Sequence, residues 1–421
     1  MEDQRWIVML STYLTEFTSL GLLFAVPVLF VTLLETYRES RATTATVTSI
    51  LFGVMGCSGI INGLLVQAIG PRKAGILAGL LMSGGWMLCF FSSSILYIDL
   101  LMAIPTGIGC SLMSLSTIRT LSQHFKGKIR LIAMSVQASS SGIGRIVYTY
   151  IITACLESFG LHGLFLIMGA LLLNCAILPI LWQTNQISKE TSRITKENEK
   201  AVHIQTCYIR YGPILTNKTF LLFVFGITFL YVPHSGFLIV FTDIMKSREF
   251  TEDNIRLAYV IHSISNVCGR LSFGFLKQIP RVSTLSLTFL FACMSAVSFS
   301  TIYLAKAFWT TAFACSIMGF EMGVTVAAIQ IGALKIISPE NLPFGIGLIY
   351  SVMGVGNVVV GPIFGAIRDV TGTYSLSLWI STLSAGVSAT IFLMAMIMKH
   401  RMKLHKTKPP ISGTLIIITK F

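Results

Sequence analysis

The sequence predicts an all-α membrane protein with twelve transmembrane helices arranged as two six-helix halves. Of the 421 residues, 54% are hydrophobic and only 11% are charged. A soluble domain carries about 25% charged residues, so water is not the main solvent of this chain. Apolar runs of about 20 residues recur along the sequence, and each is long enough to cross a bilayer as a helix. Because backbone polar groups must be paired inside a membrane, helices are the expected spans. Alternating strand patterns are absent, which argues against a membrane barrel.

Each half contributes six predicted spans. The first half, residues 1–183, has spans near 6–33, 45–67, 74–95, 98–121, 130–155 and 162–183. The second half, residues 217–398, has spans near 217–242, 254–276, 283–304, 308–333, 343–366 and 376–398. The N-terminus "MEDQRW" is acidic and runs directly into a long span, so no cleavable signal peptide is expected.

The formal net charge of +14 is explained by topology. An even number of spans puts both termini and the 184–216 linker on one side, and most of the Lys and Arg residues fall on that side. The positive-inside rule makes it the cytoplasmic side. We therefore expect cytoplasmic termini, a cytoplasmic linker and a basic cytoplasmic tail at 399–421, and we do not expect a nucleic-acid partner. Asn217 begins the sequence's N-x-[ST] sequon and should stay unglycosylated on the cytoplasmic side.

The two halves resemble each other weakly. "GLLVQAIGPRK" follows the second span and "GFLKQIPR" follows the eighth, and both combine a glycine, a tight turn and a basic residue. "SSSGIGRIV" in the fifth span and "GVGNVVVGPIFG" in the eleventh are small-residue stretches that allow close helix packing. Two similar six-span halves around a linker indicate a major facilitator fold with a site at the midplane. A channel, a receptor and a membrane enzyme are the alternatives.

No motif for catalysis or for a cofactor is present. GxxxxGK[ST], HExxH and GxSxG are all missing. The nine cysteines are scattered without a CxxC pair, so we interpret them as small apolar packing residues and not as metal ligands. The sequence therefore predicts a secondary carrier and not an enzyme or an ATP-driven pump, with no metal and no cofactor.

Three polar residues in the predicted eighth span share one helix face. His262, Asn266 and Arg270 are spaced i, i+4 and i+8. Because such a stripe is costly against lipid, it should face a cavity or another helix. Arg270 could bind an anionic substrate group through its planar fork. The alternative is that Arg270 extends to the nearby cytoplasmic surface.

Other ionisable residues within spans are further candidates. Glu321 lies deep in the tenth span, and three roles are open for it. It could pair with Arg119 as a gate between the halves, act as a proton site, or be a structural carboxyl. Arg119 could instead extend to the surface. Glu16, in the first span, is a further ion-pair candidate. His234 is a candidate substrate contact or a packed neutral histidine. Arg145 could line the cavity or pair with an acid.

Several stretches of the chain resemble the monocarboxylate transporter family. "FAVPVLFVTLLETY" looks like that family's first span, and "FGLHGLFLIMGALLLNCAIL" resembles its sixth. "FGIGLIYSVMGVGNVVVGPIFGAIRDVTGTYSLSLW" resembles its eleventh span and the loop that follows. The signature before the first span survives only as Asp3 and Trp6, and the fifth-span signature survives as "HFKGKIRLIAMSVQASSSGIG". The resemblance implies a major facilitator fold, a plasma-membrane location and a single-span ancillary glycoprotein as a partner.

The resemblance also implies a role for Arg270, which occupies the place of the arginine that binds substrate carboxylate in that family. Two residues depart from the proton-linked members. Asn266 stands where those members have an aspartate, and Val28 follows Pro27 where they have a lysine. We therefore expect weak dependence on the proton gradient, unless Glu321 or His262 has taken over that role.

Three functions remain open at this point. The first is a carrier of small organic monocarboxylates or related anions. The second is a carrier of aromatic or neutral amino acids, or of other zwitterionic solutes. The third is a sensor or scaffold that no longer transports. Arg270 without a matching acid favours anions, whereas an acid such as Glu321 exposed beside it favours zwitterions.

Overall fold

The computed structural model describes residues 2–182, 215–279, 283–333 and 341–407. Within these ranges the regular structure is entirely helical. The first half contains α1 (Glu2–Ala25), α2 (Leu29–Tyr37), α3 (Arg41–Cys57), α4 (Gly59–Ile69), α5 (Pro71–Leu88), α6 (Ile95–Ile98), α7 (Ile104–His124) and α8 (Gly127–Ile177). The second half contains α9 (Lys218–Ile239), α10 (Phe241–Lys246), α11 (Glu252–Leu276), α12 (Thr284–Leu304), α13 (Phe308–Ala333), α14 (Leu342–Thr371) and α15 (Ser375–Thr407).

These helices account for the twelve predicted spans. In the described part of the chain, nine stretches are long and apolar enough to cross a membrane, and α3 with α4, bent by 50°, makes a tenth. One of the nine, Gly127–Leu181, covers the fifth and sixth predicted spans, which are separated at Gly160. Gly160 has φ 67°, a conformation that glycine adopts without a Cβ penalty. Helix α11 corresponds to the eighth span and is the least apolar, because it carries the polar stripe.

Helix breaks and helix ends follow local chemistry. A short 3₁₀ segment around Pro27 joins α1 to α2, since proline donates no backbone hydrogen bond. Thr251 caps α11 by accepting a hydrogen bond from the Asn254 amide at 3.3 Å. Helix α15 continues to Thr407, past the predicted end of the twelfth span. The predicted linker lies almost wholly outside the described residues, and so does the tail beyond Thr407.

The two halves pack against each other along two seams. One seam joins α3 and α4 to α14, and the other joins α8 to α11. Glycines allow the first seam to close: a Cβ on Gly56 would collide with Gly354, and one on Gly59 would collide with the Gly347 carbonyl. The space enclosed between the seams holds the site described below.

Candidate functional site

A cavity lies between the two halves near the middle of the bundle. Both halves contribute equally to its wall, which is mainly aromatic and aliphatic with a few polar groups. The lining residues are Glu16, Leu20, Phe24, Phe52, Met55, Gly56, Ala138, Ser141, Tyr231, Arg270, Val326, Ile329, Gln330, Tyr350, Met353 and Asn357. An apolar pocket with few polar groups is the usual form of a small-molecule site.

Arg270 projects from α11 to this cavity and is only 3% exposed. Its Nε donates to Asn266 Oδ1 at 2.8 Å, one helical turn away. Its Nη1 crosses to α8, where it donates to the Ala138 carbonyl at 2.6 Å and to Ser141 Oγ. The guanidinium also lies 5.7 Å from the ring centroid of Phe24. Its Nη2 makes no hydrogen bond to the described residues, so one face of the fork remains for a ligand.

A second, smaller cavity shares Arg270 with the first. Its wall includes Arg145, Asn266 and Tyr231. Arg145 comes from α8, is 3% exposed and lies 5.4 Å from the ring centroid of Tyr259. Among the described residues Arg145 has no carboxylate partner, and its Nε has no hydrogen-bond acceptor. Two guanidinium groups, one from each half, therefore face the same small space.

A chain of four buried side chains leads from Arg145 into the second half. Arg145 Nη2 lies 3.0 Å from His262 Nδ1, and His262 Nε2 lies 3.3 Å from His234 Nε2. His234 Nδ1 is 3.3 Å from Glu321 Oε1. That last contact is at ion-pair distance, and neither carboxylate oxygen makes a hydrogen bond within the described residues. We call Glu321, His234, His262 and Arg145 the relay.

Close helix packing positions the relay. A Cβ on Gly319 would collide with the His262 carbonyl, and one on Gly323 would collide with the Asn266 carbonyl. Only glycine at these two positions of α13 lets it approach α11 so closely. Asn266 Nδ2 also donates to the Gly319 carbonyl at 3.2 Å, which holds the two helices in register.

Glu16 lines the larger cavity from α1 and is 1% exposed. Its Oε1 accepts a hydrogen bond from Thr117 Oγ1 at 2.6 Å, and Gln137 Nε2 donates to that same hydroxyl at 3.2 Å. The polar chain Gln137–Thr117–Glu16 belongs entirely to the first half. It gives the larger cavity, which Arg270 also lines, one acidic group.

The predicted pair of Arg119 with Glu321 is absent from this structure. Arg119 Nη1 instead donates to the Val66 carbonyl at 2.6 Å, within its own half. This carbonyl also accepts the Gly70 amide at the end of α4 at 3.1 Å, so the guanidinium binds its second lone pair. Glu321 sits in the middle of α13, where His234 is its neighbour. The surface-extending interpretation of Arg270 is also wrong, since this side chain is buried and bonded to the opposite half.

The structure brings together six of the eight candidates: His234, His262, Asn266, Arg270, Glu321 and Arg145. Glu16 lies apart from them and lines the larger cavity from α1. Sequence reasoning missed Tyr231, which lines both cavities, and the Ala138 carbonyl. The position of Tyr231, one turn before His234, could have indicated it from the sequence. A backbone carbonyl leaves no signal in a sequence. Within the described ranges no His, Cys, Asp or Glu cluster is arranged to hold a metal ion.

A separate polar cluster joins the halves at the end of the bundle away from the N-terminus. Arg41 Nε lies 2.9 Å from Asp243 Oδ2, and Arg41 Nη1 lies 3.7 Å from Asp369 Oδ1. Tyr374 donates to Asp243 Oδ2 at 2.6 Å. Burial and the Asp243 carboxylate raise the pKa of Tyr374, so the phenol keeps its proton and remains a donor. The cluster ties the two halves together at this end of the bundle.

Comparison with known proteins gives a consistent picture. The family model described as Major Facilitator Superfamily matches residues 6–338. Monocarboxylate transporter 9 of Mus musculus is 23% identical, covering 93% of this chain and 92% of its own length. Monocarboxylate transporter 13 of Rattus norvegicus is 22% identical, and the match covers 88% of this chain and 84% of that protein. A solved structure of the proton:xylose symporter XylE bound to a bromodeoxyglucose aligns with TM-score 0.71 and 12% identity, covering 93% of this chain and 96% of that one. At that identity the likeness concerns the fold alone.

Proposed function

Because the chain belongs to the major facilitator superfamily and is therefore a multi-pass membrane transporter, we propose that it carries small organic monocarboxylates or related anions by alternating access. Arg270 binds the substrate carboxylate, and the aromatic wall contacts the organic body. The relatives that bear the name monocarboxylate transporter support the same substrate class. The site works in the plasma membrane, with both termini and the linker in the cytoplasm.

The observation that carries this proposal is the free edge of the Arg270 guanidinium at the junction of the two cavities. Asn266, Ala138 and Ser141 occupy Nε and Nη1, which fixes the plane of the fork and leaves Nη2 for a ligand. A preorganised guanidinium gives up little conformational freedom when it binds a carboxylate. Glu321, whose exposure would have favoured a zwitterion, lines neither cavity. Arg145 adds a second positive charge nearby.

A second candidate function rests on Glu16. This carboxyl lines the same cavity as Arg270, so a zwitterionic amino acid could place its ammonium beside Glu16 and its carboxylate on Arg270. The aromatic wall formed by Phe24, Phe52 and Tyr231 suits an aromatic side chain. Against this candidate, Thr117 already donates a hydrogen bond to Glu16.

Uptake in oocytes separates the two candidates. The probes are labelled lactate, pyruvate, 3-hydroxybutyrate and benzoate on one side, and labelled phenylalanine, tyrosine and leucine on the other. We expect uptake of at least one monocarboxylate above that of uninjected cells, and loss of that uptake in Arg270→Ala at equal surface amount. Uptake of amino acids alone, with dependence on Glu16, would select the second candidate. Uptake of neither class would refute both.

A further inference from the structure

The two arginines at the interface hold their guanidinium groups at successive turns of α11. Arg270, on α11 itself, donates from Nε to Asn266 Oδ1 at 2.8 Å and from Nη1 to Ser141 Oγ of α8. Arg145 reaches the other way, from α8, and its Nη2 lies 3.0 Å from His262 Nδ1. Asn266 and His262 are four residues apart, which is about 6 Å along a helix. The interface therefore carries two cations about one helical turn apart.

Arg145 has no counter-charge within the part of the chain that the structure describes. It is almost fully buried, and its Nε has no hydrogen-bond acceptor there. Its neighbours are His262, which accepts one hydrogen bond from Nη2, and the ring of Tyr259 at 5.4 Å. A buried guanidinium without a counter-charge is costly, because burial removes its hydration without replacing it. A ligand anion beside Arg145 would remove that cost.

The smaller cavity is the space in which such an anion can reach both arginines. Arg145 and Arg270 both line it, and no acidic side chain of the described residues does. Glu16 lines only the larger cavity, where Arg270 is the cation that shares the wall with it. A single carboxylate on Arg270 would therefore leave Arg145 unpaired. Two carboxylates in the smaller cavity would pair both arginines.

We infer that Arg145 and Arg270 form a two-point anion site, and that the preferred substrate is a short dicarboxylate with one carboxylate on each arginine. The inference rests on the proposed function and narrows its substrate class. Because a carbon–carbon bond is about 1.5 Å long, four- and five-carbon dicarboxylates place their carboxyl groups about 4–5 Å apart, which suits two cations about one turn apart. The rings of Phe24 and Phe52 line the same cavity and would cover the carbon chain.

The two-point site also involves both halves of the protein. Arg145 belongs to the first half and Arg270 to the second, so a dicarboxylate held by both arginines bridges the interface. A monocarboxylate of the same length lacks the second charge and leaves Arg145 without a partner. It is still a substrate through Arg270, but it binds more weakly because it makes one charge-assisted contact fewer.

The first test compares substrates of equal chain length in proteoliposomes. The labelled probes are succinate against butyrate, and glutarate against valerate. Uptake is measured at about pH 7.5, where the carboxyl groups are ionised because their ordinary pKa values are about 4. We expect wild type to show a KM for each dicarboxylate about tenfold or more below that for its monocarboxylate. In Arg145→Gln the two KM values should become similar. Arg256→Gln, which changes an exposed arginine of α11, should behave as wild type.

A purely structural role for Arg145 would give a different result. If Arg145 only ties α8 to α11 through His262, Arg145→Gln should slow uptake of both probes and leave the ratio of their KM values unchanged. That result would refute the two-point site, and so would a wild-type protein that takes up butyrate as well as succinate. Both results would leave the monocarboxylate proposal standing. If Arg145→Gln does not fold, Arg145→Met decides by the same ratio, since it removes the charge without burying another polar group.

A second test needs no transport. A ligand that binds the folded protein raises its melting temperature. Succinate should stabilise purified wild type and Arg256→Gln more than butyrate does at the same concentration, and Arg145→Gln should lose this difference. Equal shifts in wild type would overturn the two-point site. Uptake of neither probe, together with an Arg145-dependent shift by succinate, would instead refute the transport function and leave the anion site standing. Neither uptake nor a shift would refute both.

Discussion

Replacing Arg270 by alanine should strongly impair transport of anions while the protein still reaches the membrane. Removing a charge-assisted hydrogen bond costs about 1.5–3 kcal/mol, which corresponds to roughly ten- to a hundredfold in substrate affinity. The structure adds a second cost, because Arg270 also ties α11 to α8 through Ala138 and Ser141. Alanine leaves the buried Ala138 carbonyl without this donor. We therefore expect a higher KM from the lost substrate contact and an altered maximal rate from the lost contact between the halves.

Two variants separate these costs. Ser141→Ala removes one of the two Nη1 contacts and leaves Ala138 and Asn266 to hold the guanidinium, so it should change the maximal rate more than KM. Arg270→Lys keeps the charge but loses the fork held by Asn266 and Ala138, so it should raise KM. The assay is concentration-dependent uptake of the identified monocarboxylate, normalised to surface protein. Arg270→Ala at normal surface amount with unchanged KM would show that the carboxylate binds elsewhere.

Three further predictions concern topology, gating and packing. A reporter tag in the 184–216 linker should read as cytoplasmic and Asn217 should carry no glycan; an external tag or a glycan reverses the orientation. Arg41→Asp should loosen the end of the bundle away from the N-terminus and speed labelling of engineered cysteines there, and adding Asp243→Arg should restore the slow rate. The change in labelling rate should be below about tenfold, because Arg41 is one-third exposed. If the double variant does not recover the slow rate, the Arg41–Asp243 pair does not hold the two halves together at this end. Gly319→Ala should push α13 away from α11 and lower the thermal stability, and an unchanged melting temperature would contradict the packing argument.

Hydropathy was sufficient to predict the fold, because the bilayer requires the chain to form long apolar helices. The prediction extended to α11, whose polar stripe lowers its hydropathy, since the six-plus-six organisation required a helix there. Helix ends were less predictable. Gly160 and Pro27 break helices through local backbone geometry, and α15 extends past the apolar segment because nothing in its sequence stops the helix at residue 398.

The site was predictable in its members but not in its connections. The spacing of His262, Asn266 and Arg270 predicted a shared face, because helical periodicity is local. The partner of Glu321 was not predictable, because the choice between Arg119 and His234 depends on how deeply α7 and α13 sit relative to each other. Arg145 was left open for the same reason. Its neighbour across the interface is a histidine whose lone pair, and not its charge, makes the contact.

The balance of buried charge links the substrate site to the relay. Around the two cavities the described residues place two arginines, Arg145 and Arg270, and two glutamates, Glu16 and Glu321, all at most 3% exposed. With every group ionised the region is neutral as a whole, but the charges are unevenly placed. Arg145 and Arg270 line the smaller cavity, whereas Glu16 and Glu321 do not. An anionic carboxylate bound between the two arginines offsets the local excess of positive charge. Because an uncompensated buried charge is expensive, the two arginines favour an anion in the smaller cavity over an empty one.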